Sequence, residues 1–169
     1  GELKQRLEEL ALLDVRLVED RGIDLRDRLS VLPVRLFSLL LGQRLAVSHI
    51  IERFAATPLN NIDDVRDMLL STNDSVIEHR SDAPELRQMH TTVVSLFIDL
   101  HSGDAFWGHA GDSRLYLFRD GQLLERTKDH SLVQSLVEAG LLTPEQTRSH
   151  PRRSELQSAL GTDPSYLRV

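Results

Sequence analysis

The hydrophobic period of this chain changes from helical to strand-like and back again, and those changes limit the folds open to it. Val47, Ile50, Ile51 and Phe54 stand at i, i+3, i+4 and i+7, one apolar helical stripe. A second stripe follows "TPLNN", with Ile62, Val65, Leu69 and Val76 on one face. Asp63 and Asp64 fall in its first turn, where the helix dipole favours anions. "RSDAPEL" reads as a loop. "TTVVSLFIDL" is then β-branched and almost continuously apolar, which predicts a strand buried on both faces. Ser102-Gly103 makes a turn, "AFWGHAG" a second strand and "SRLYLF" a third. Asp120-Gly121 predicts a type I′ hairpin, whose two turn positions need positive φ, and "QLLER" is the returning strand.

Helical signals resume after the strands. "DHSLVQSLVEAG" starts at a capping residue, Asp129 or Ser131, and stops at Gly140. "TPEQ" is a capping box with Pro144 at the first helical position. "PRRSELQSALG" predicts a last short helix ending at Gly161. Helices, an antiparallel meander and helices again give an α+β fold with helices packed on antiparallel β-sheet.

Residues 1–43 differ in character and form a helical N-terminal segment of uncertain origin. Leu3, Leu7, Leu10 and Leu17 recur at roughly heptad spacing, over too few heptads for a coiled coil. Gly22 is placed to end that helix, Asp24 to cap the next, and Pro33 to break the run. The boundary predicted from this contrast lies between residues 43 and 44.

Composition removes several function classes. The net charge is −6, which argues against nucleic-acid binding, because that requires an electropositive face. No cysteine is present, which excludes disulfides and thiolate metal sites and predicts a reducing, cytoplasmic setting. The most apolar stretch, "VLPVRLFSLLLG", is interrupted by Pro33 and Arg35 and falls short of the ~20 apolar residues that span a bilayer, so no membrane partner is expected. "GELKQRLEEL" does not have the make-up of a signal peptide.

The residue that most suggests chemistry is Asp112 in "GHAGDSRLYLF". An aspartate just after a glycine, between two strands, is exposed by geometry, and the glycine allows close approach to the backbone. Hard divalent cations prefer such oxygen ligands. The structural alternative is an Asx-turn, with Asp112 accepting from its own turn. His109 stands in the strand beside it and could face the same crevice. His130 reads as an exposed residue at a helix start, and Trp107 and Tyr116 as core or sheet-surface aromatics. None of the seven histidines forms the short pair expected of a zinc site.

The stretch from "TTVVSLFIDL" to "ALG" closely resembles the middle of bacterial PPM-type metal-dependent protein serine/threonine phosphatases. The matching elements are "TT", "GDSR" before an apolar strand, "RDG", the "T.DHS.VQ.L...G" helix, the "T.E...HP" flap-like segment and the final "ALG". Upstream, "RLAVSHIIERF" and "DDVRDMLLSTNDSVIEH" resemble the family's two long helices. The likeness covers about residues 43–162. It implies that residues 44–169 are the central part of such a domain, a partial version of an α-β-β-α sandwich. It also implies hydrolysis of phosphoserine and phosphothreonine on a phosphoprotein substrate with two Mn²⁺ or Mg²⁺ ions. Asp112 matches a ligand of an additional, weaker metal, and Arg114 a structural residue. Arg148, Arg152 and Arg153 fall in the flap-like segment.

The departures from the family bear on activity. The paired-metal carboxylates of the family come from an N-terminal Asp, a "DGMGGH"-like turn, and "SDG" and "DN" motifs after the "ALG" segment. None is present in this sequence. "LFSLLLGQ" stands where the glycine-rich turn belongs, "EDRGID" at 19–24 does not match in spacing, His90 replaces a usual glycine before "TT", and the later motifs would fall beyond Val169. One carboxylate cannot hold two ions ~3.5–4 Å apart, so the bimetallic centre is not expected to assemble and no catalytic residue is assigned. The expectation is a phosphatase-family chain without activity as given. Two alternatives stand beside it: a non-catalytic scaffold or binding protein on the same fold, or a helical self-association module led by residues 1–43. With about one sheet where the family has two, exposed apolar surface predicts a homo-oligomer.

Overall fold

The computed structural model describes residues 34–81 and 86–169 and divides the chain into two compact units, Gly1–Phe37 and Ser38–Val169. The Leu3–Leu17 pattern, Gly22, Asp24 and "EDRGID" lie outside the described residues, as does most of the "RSDAPEL" loop.

Helix α1 spans Val34–Ala56 and begins immediately after Pro33. It runs without a break through residue 43, where the composition changes. Helix α2 spans Ile62–Arg80. Asn61 caps it, accepting from the Asp64 N–H at 3.0 Å, and Asp63 and Asp64 sit in its first turn as expected.

The core is built on α2. Val65, Met68, Leu69 and Val76 are buried, while Ile62, at the helix start, is exposed. Among the described residues of α1 the buried positions are Gly42 and Ala46, not the Val47–Phe54 stripe; Val47 and Phe54 are exposed. A small side chain lets this helix approach closely, and Ala46 joins Val76, Met89, Ala110 and Leu160 in one cluster. Phe54 still meets a partner: its ring lies 5.2 Å from that of Phe97.

Four strands follow: β1 (Val93–Ile98), β2 (Ala105–Ala110), β3 (Tyr116–Arg119) and β4 (Gln122–Arg126). They do not form one meander. β1 pairs antiparallel with β2, with Val93 opposite Ala110 and Ile98 opposite Ala105. β3 pairs with β4 in a separate sheet that carries a bulge at Leu117/Phe118. β2 and β3 stay apart because the chain turns sharply at Gly111 and leaves the first sheet.

Two sequence expectations about these strands change. β1 is not buried on both faces; Val93, Ser95 and Phe97 are half-buried while Val94, Leu96 and Ile98 are exposed. Only one layer, that of the helices, covers this sheet among the described residues. α2 packs on β2 so closely that a Cβ on Gly108 would come within 2.8 Å of Leu69 and 2.9 Å of Val65. The second sheet is exposed along its length, with Phe118 at 62%.

The hairpin turn behaves as its residues demand: φ is 51° at Asp120 and 75° at Gly121. Helix α3 (Leu132–Glu138) is capped by Ser131, which accepts from the Gln134 N–H, and the chain passes into the left-handed region at Gly140. The capping box forms, with Thr143 N–H donating to Gln146 Oε1 at 2.7 Å, but it starts only a 3₁₀ turn, Gln146–Ser149. "PRRSELQSALG" is not a helix. Its backbone is held by long-range pairing: Leu160 exchanges both hydrogen bonds with Thr91, and Gln157 N–H donates to His130 O. The assembly is α+β, with helices on an antiparallel sheet and a second small sheet beside them.

Candidate functional site

The segment Gly111–Arg114 joins the two sheets. Gly111 has φ +107°, and a Cβ there would lie 2.3 Å from Thr92 Cγ2, so no side chain fits. The loop is fastened at several points. Gly111 O accepts from His130 N–H at 2.9 Å, and Gly111 N–H donates to His130 Nδ1 at 3.3 Å. The Ser113 and Thr92 hydroxyls share a hydrogen bond of 2.8 Å. Arg114 forms a bidentate pair with Asp129, 2.7 Å from Nε and 2.6 Å from Nη2. Leu115 N–H donates to Thr127 Oγ1, and Thr127 N–H to Leu115 O, both at 3.0 Å.

Asp112 and Arg114 are the exposed members of the loop. The bonds engage Gly111, Ser113 and Arg114, and the Asp112 carboxylate takes part in none of them. Asp112 is therefore not the acceptor of an Asx-turn, and among the described residues nothing hydrogen-bonds to its carboxylate.

The histidines are organised differently from their sequence reading. His130 is half-buried, and its ring stacks on His109 with centroids 4.4 Å apart. Burial, then the neighbouring His109 and Arg168, lower its pKa from 6.5 to about 4, against the opposing pull of Asp129 and Glu138. The neutral ring accepts at Nδ1 and so carries its proton on Nε2. His109 Nε2 donates to Lys128 O at 2.8 Å.

A cleft of about 470 Å³ opens beside this pair, where the start of α2 faces β2 and the end of β4. Asp63, Arg66, Trp107, His109, Glu125 and Lys128 are among its lining residues; Asp112 is not. His109 therefore lines this cleft and Asp112 does not. Tyr116 is exposed, and Trp107 is half-buried on the cleft wall. Arg148, Arg152 and Arg153 are exposed, and Arg152 is tied to Glu155 at 2.7 Å. His90 is exposed at the foot of β1.

A bimetallic centre needs several convergent carboxylates. No group of three or more His, Cys, Asp or Glu side chains among the described residues could hold a metal ion. The described residues do not fit that centre.

Several contacts escaped the sequence reading. The Arg114–Asp129 pair could not be found by counting outward from the Asp120-Gly121 turn, which sets Leu115 opposite Arg126; the bulge at Leu117/Phe118 shifts Leu115 to Thr127 and brings Arg114 near Asp129. The Asn73 side chain, buried in α2, accepts from Gly161 N–H at 2.7 Å and donates to Thr162 O at 3.0 Å. No local signal announces a contact 88 residues apart.

No protein-family model matches the chain. Individual proteins do. The serine/threonine protein phosphatase PstP of Mycobacterium tuberculosis is 46% identical over 78 residues, which are 46% of this chain and 15% of PstP. A 2C-type protein phosphatase of Streptococcus pyogenes is 32% identical over 124 residues, covering 72% of this chain and 50% of that protein. Among solved structures, the serine/threonine phosphatase Stp1 of Staphylococcus aureus superposes with a TM-score of 0.63 at 28% identity, over 72% of this chain and 48% of Stp1. The chain spans half or less of the length of each of these relatives. Over the region carrying "GDSR" and the paired hairpins, the chain is a partial domain of the bacterial PPM-type protein serine/threonine phosphatases.

Proposed function

We propose that residues 44–169 are the central part of a metal-dependent protein phosphatase domain, following a distinct helical segment, 1–43. The whole-domain reaction is hydrolysis of phosphoserine and phosphothreonine on proteins in the cytoplasm, with Mn²⁺ or Mg²⁺. Asp112 is the residue of this chain that meets a cation, as ligand of an accessory position rather than of the paired centre. The observation that carries this reading is the contrast within one loop: Gly111, Ser113 and Arg114 are fastened, and among the described residues nothing hydrogen-bonds to the Asp112 carboxylate. A fastened loop holds a ligand in place with little loss of freedom on binding.

The 169-residue polypeptide by itself does not hydrolyse phosphopeptides, because one carboxylate cannot clamp two ions. The experiment has two arms. Paramagnetic Mn²⁺ is expected to broaden the amide resonances of Gly111–Ser113 in the parent chain and not in Asp112→Ala. Manganese-dependent phosphopeptide turnover by the parent chain is expected to be absent. Broadening that survives Asp112→Ala removes Asp112 from the site; turnover abolished by that substitution overturns the inactivity.

The carboxylate count favours a second reading for the isolated chain, a phosphopeptide-binding scaffold without catalysis. Saturable phosphopeptide binding without turnover is its signature.

A further inference from the structure

The β3–β4 turn carries a backbone that its own chemistry can alter. Among the described residues Asp120 is the only one other than glycine with positive φ, at 51°, and Gly121 follows at 75°. Asp120-Gly121 is also the one place in the sequence where an aspartate or asparagine precedes glycine. Arg119 pairs with Gln122, so the two turn residues stand outside the ladder. Both are exposed, and a Cβ on Gly121 would meet nothing within 4 Å. The ion pairs among the described residues, Arg114–Asp129, Lys128–Glu138 and Arg152–Glu155, leave the Asp120 carboxylate out.

We propose that Asp120-Gly121 is a site of spontaneous covalent modification, where the Gly121 nitrogen closes on the Asp120 side chain to form a succinimide that the folded hairpin accommodates. A bond forms between Gly121 N and Asp120 Cγ. The hydroxyl of the protonated carboxyl leaves as water with the amide hydrogen, and no other reactant is consumed. Water later opens the ring at either carbonyl, restoring aspartate or leaving an isoaspartyl linkage. Glycine favours the closure because no Cβ stands beside the attacking nitrogen.

The turn geometry makes the ring compatible with the fold. Tetrahedral geometry at Cα brings Cβ and the next nitrogen to one side only when ψ is about −120°, the value at the first central position of a type II′ turn. That position also has φ of about +60°, close to the 51° that Asp120 already adopts. Rotating the single peptide plane between Asp120 and Gly121 therefore converts type I′ into type II′, and both turns close two-residue hairpins. Gly121 tolerates the accompanying change of sign in φ. Arg119 and Gln122 need not move. The isoaspartyl product differs, because it adds a carbon to the backbone and so takes the loop outside the two-residue turn classes. The inference rests on the bonds of the turn itself and stands whether or not Asp112 binds a metal.

The test incubates the whole 169-residue chain in weakly acidic buffer, folded and in urea, and maps its peptides by mass. In the folded chain the peptide containing Asp120-Gly121 is expected to lose the mass of one water at a rate within about tenfold of that in urea, because both turn types suit the hairpin. Hydroxylamine is expected to cleave the chain at the ring. Asp74-Ser75, inside α2, and Asp112-Ser113, in the fastened loop, are expected to keep their water in the folded chain. Gly121→Ala is expected to slow the reaction about tenfold, and Asp120→Glu, which retains the charge, to abolish it. Amide exchange at Arg119 and Gln122 is expected to stay slow in the ring form and to quicken once isoaspartate forms. A folded-state rate more than about tenfold below that in urea, a ring that forms first at another position, water loss that persists in Asp120→Glu, or loss of the Arg119–Gln122 pairing on ring closure would each overturn the proposal.

Discussion

Arg114 and Asp129, fifteen residues apart in sequence, close the mouth of the β3–β4 hairpin through two parallel hydrogen bonds. The carboxylate is the more sheltered partner, its side chain 14% exposed against 41% for the guanidinium. The pair fixes the point where the chain leaves the Asp112 loop relative to the start of α3.

Bidentate geometry and partial shelter make this pair stronger than an ordinary surface ion pair. Asp129→Ala is expected to lower stability by about 1–2 kcal/mol, and Arg114→Lys by about 1 kcal/mol, because lysine keeps the charge and loses the fork. Asp112→Asn is the control, expected within about 0.5 kcal/mol of the parent since its carboxylate holds nothing in the loop. Urea unfolding at neutral pH measures all three.

Gly111→Ala places a methyl group against Thr92 in a backbone conformation that alanine resists. A loss of about 2–4 kcal/mol is expected from the combined strain and overlap. Gly121→Ala, whose Cβ would meet nothing within 4 Å, carries the conformational part alone and is expected to cost about 1 kcal/mol. The difference between the two midpoints isolates the contact with Thr92.

His130 sets an acid limit. Its pKa is about 4 in the fold and about 6.5 in the unfolded chain, so between those values the unfolded state binds more protons. Its contribution is complete above pH 6.5 and is lost as pH falls towards 4. After discounting for its half-exposed ring, about 1–2 kcal/mol is at stake. His130→Asn is expected to flatten the stability profile between pH 7 and 4.5 in urea melts. An unchanged slope would assign the acid sensitivity to other groups.

Asn73 links α2 to the turn after Leu160 with both ends of its side-chain amide. Asn73→Asp removes the donor and buries a charge, with an expected loss of about 3 kcal/mol. Asn73→Leu leaves the Gly161 N–H unsatisfied and is expected to cost about 2 kcal/mol. Amide exchange at Gly161 is expected to accelerate in both.

Several local signals hold in the structure. The 3.6-residue stripes mark α1 and α2, Asp120-Gly121 marks its hairpin, Ser131 its cap, and Thr143 and Gln146 their reciprocal bonds. The errors share a different cause. "PRRSELQSALG" has helical composition, yet Leu160 is claimed by Thr91 and Gln157 by His130 across long sequence distances. "TTVVSLFIDL" has the make-up of a doubly buried strand, but burial depends on what lies above and below, and β1 has one cover among the described residues. His130 reads as an exposed cap residue because nothing nearby in sequence announces the ring of His109. Asp112 was legible as an exposed carboxylate; the fastening around it was not, because each partner comes from another element.

The close seating of Val65 and Leu69 over Gly108 makes its neighbour Trp107 a natural reporter. This is the only indole in the chain, so its fluorescence carries one uncontaminated signal. Lifting the helix away would admit water to that ring and shift its emission to the red. Filling the adjacent cleft would instead dry it and shift the spectrum to the blue, so ligand entry and loosening of the two layers have opposite colours.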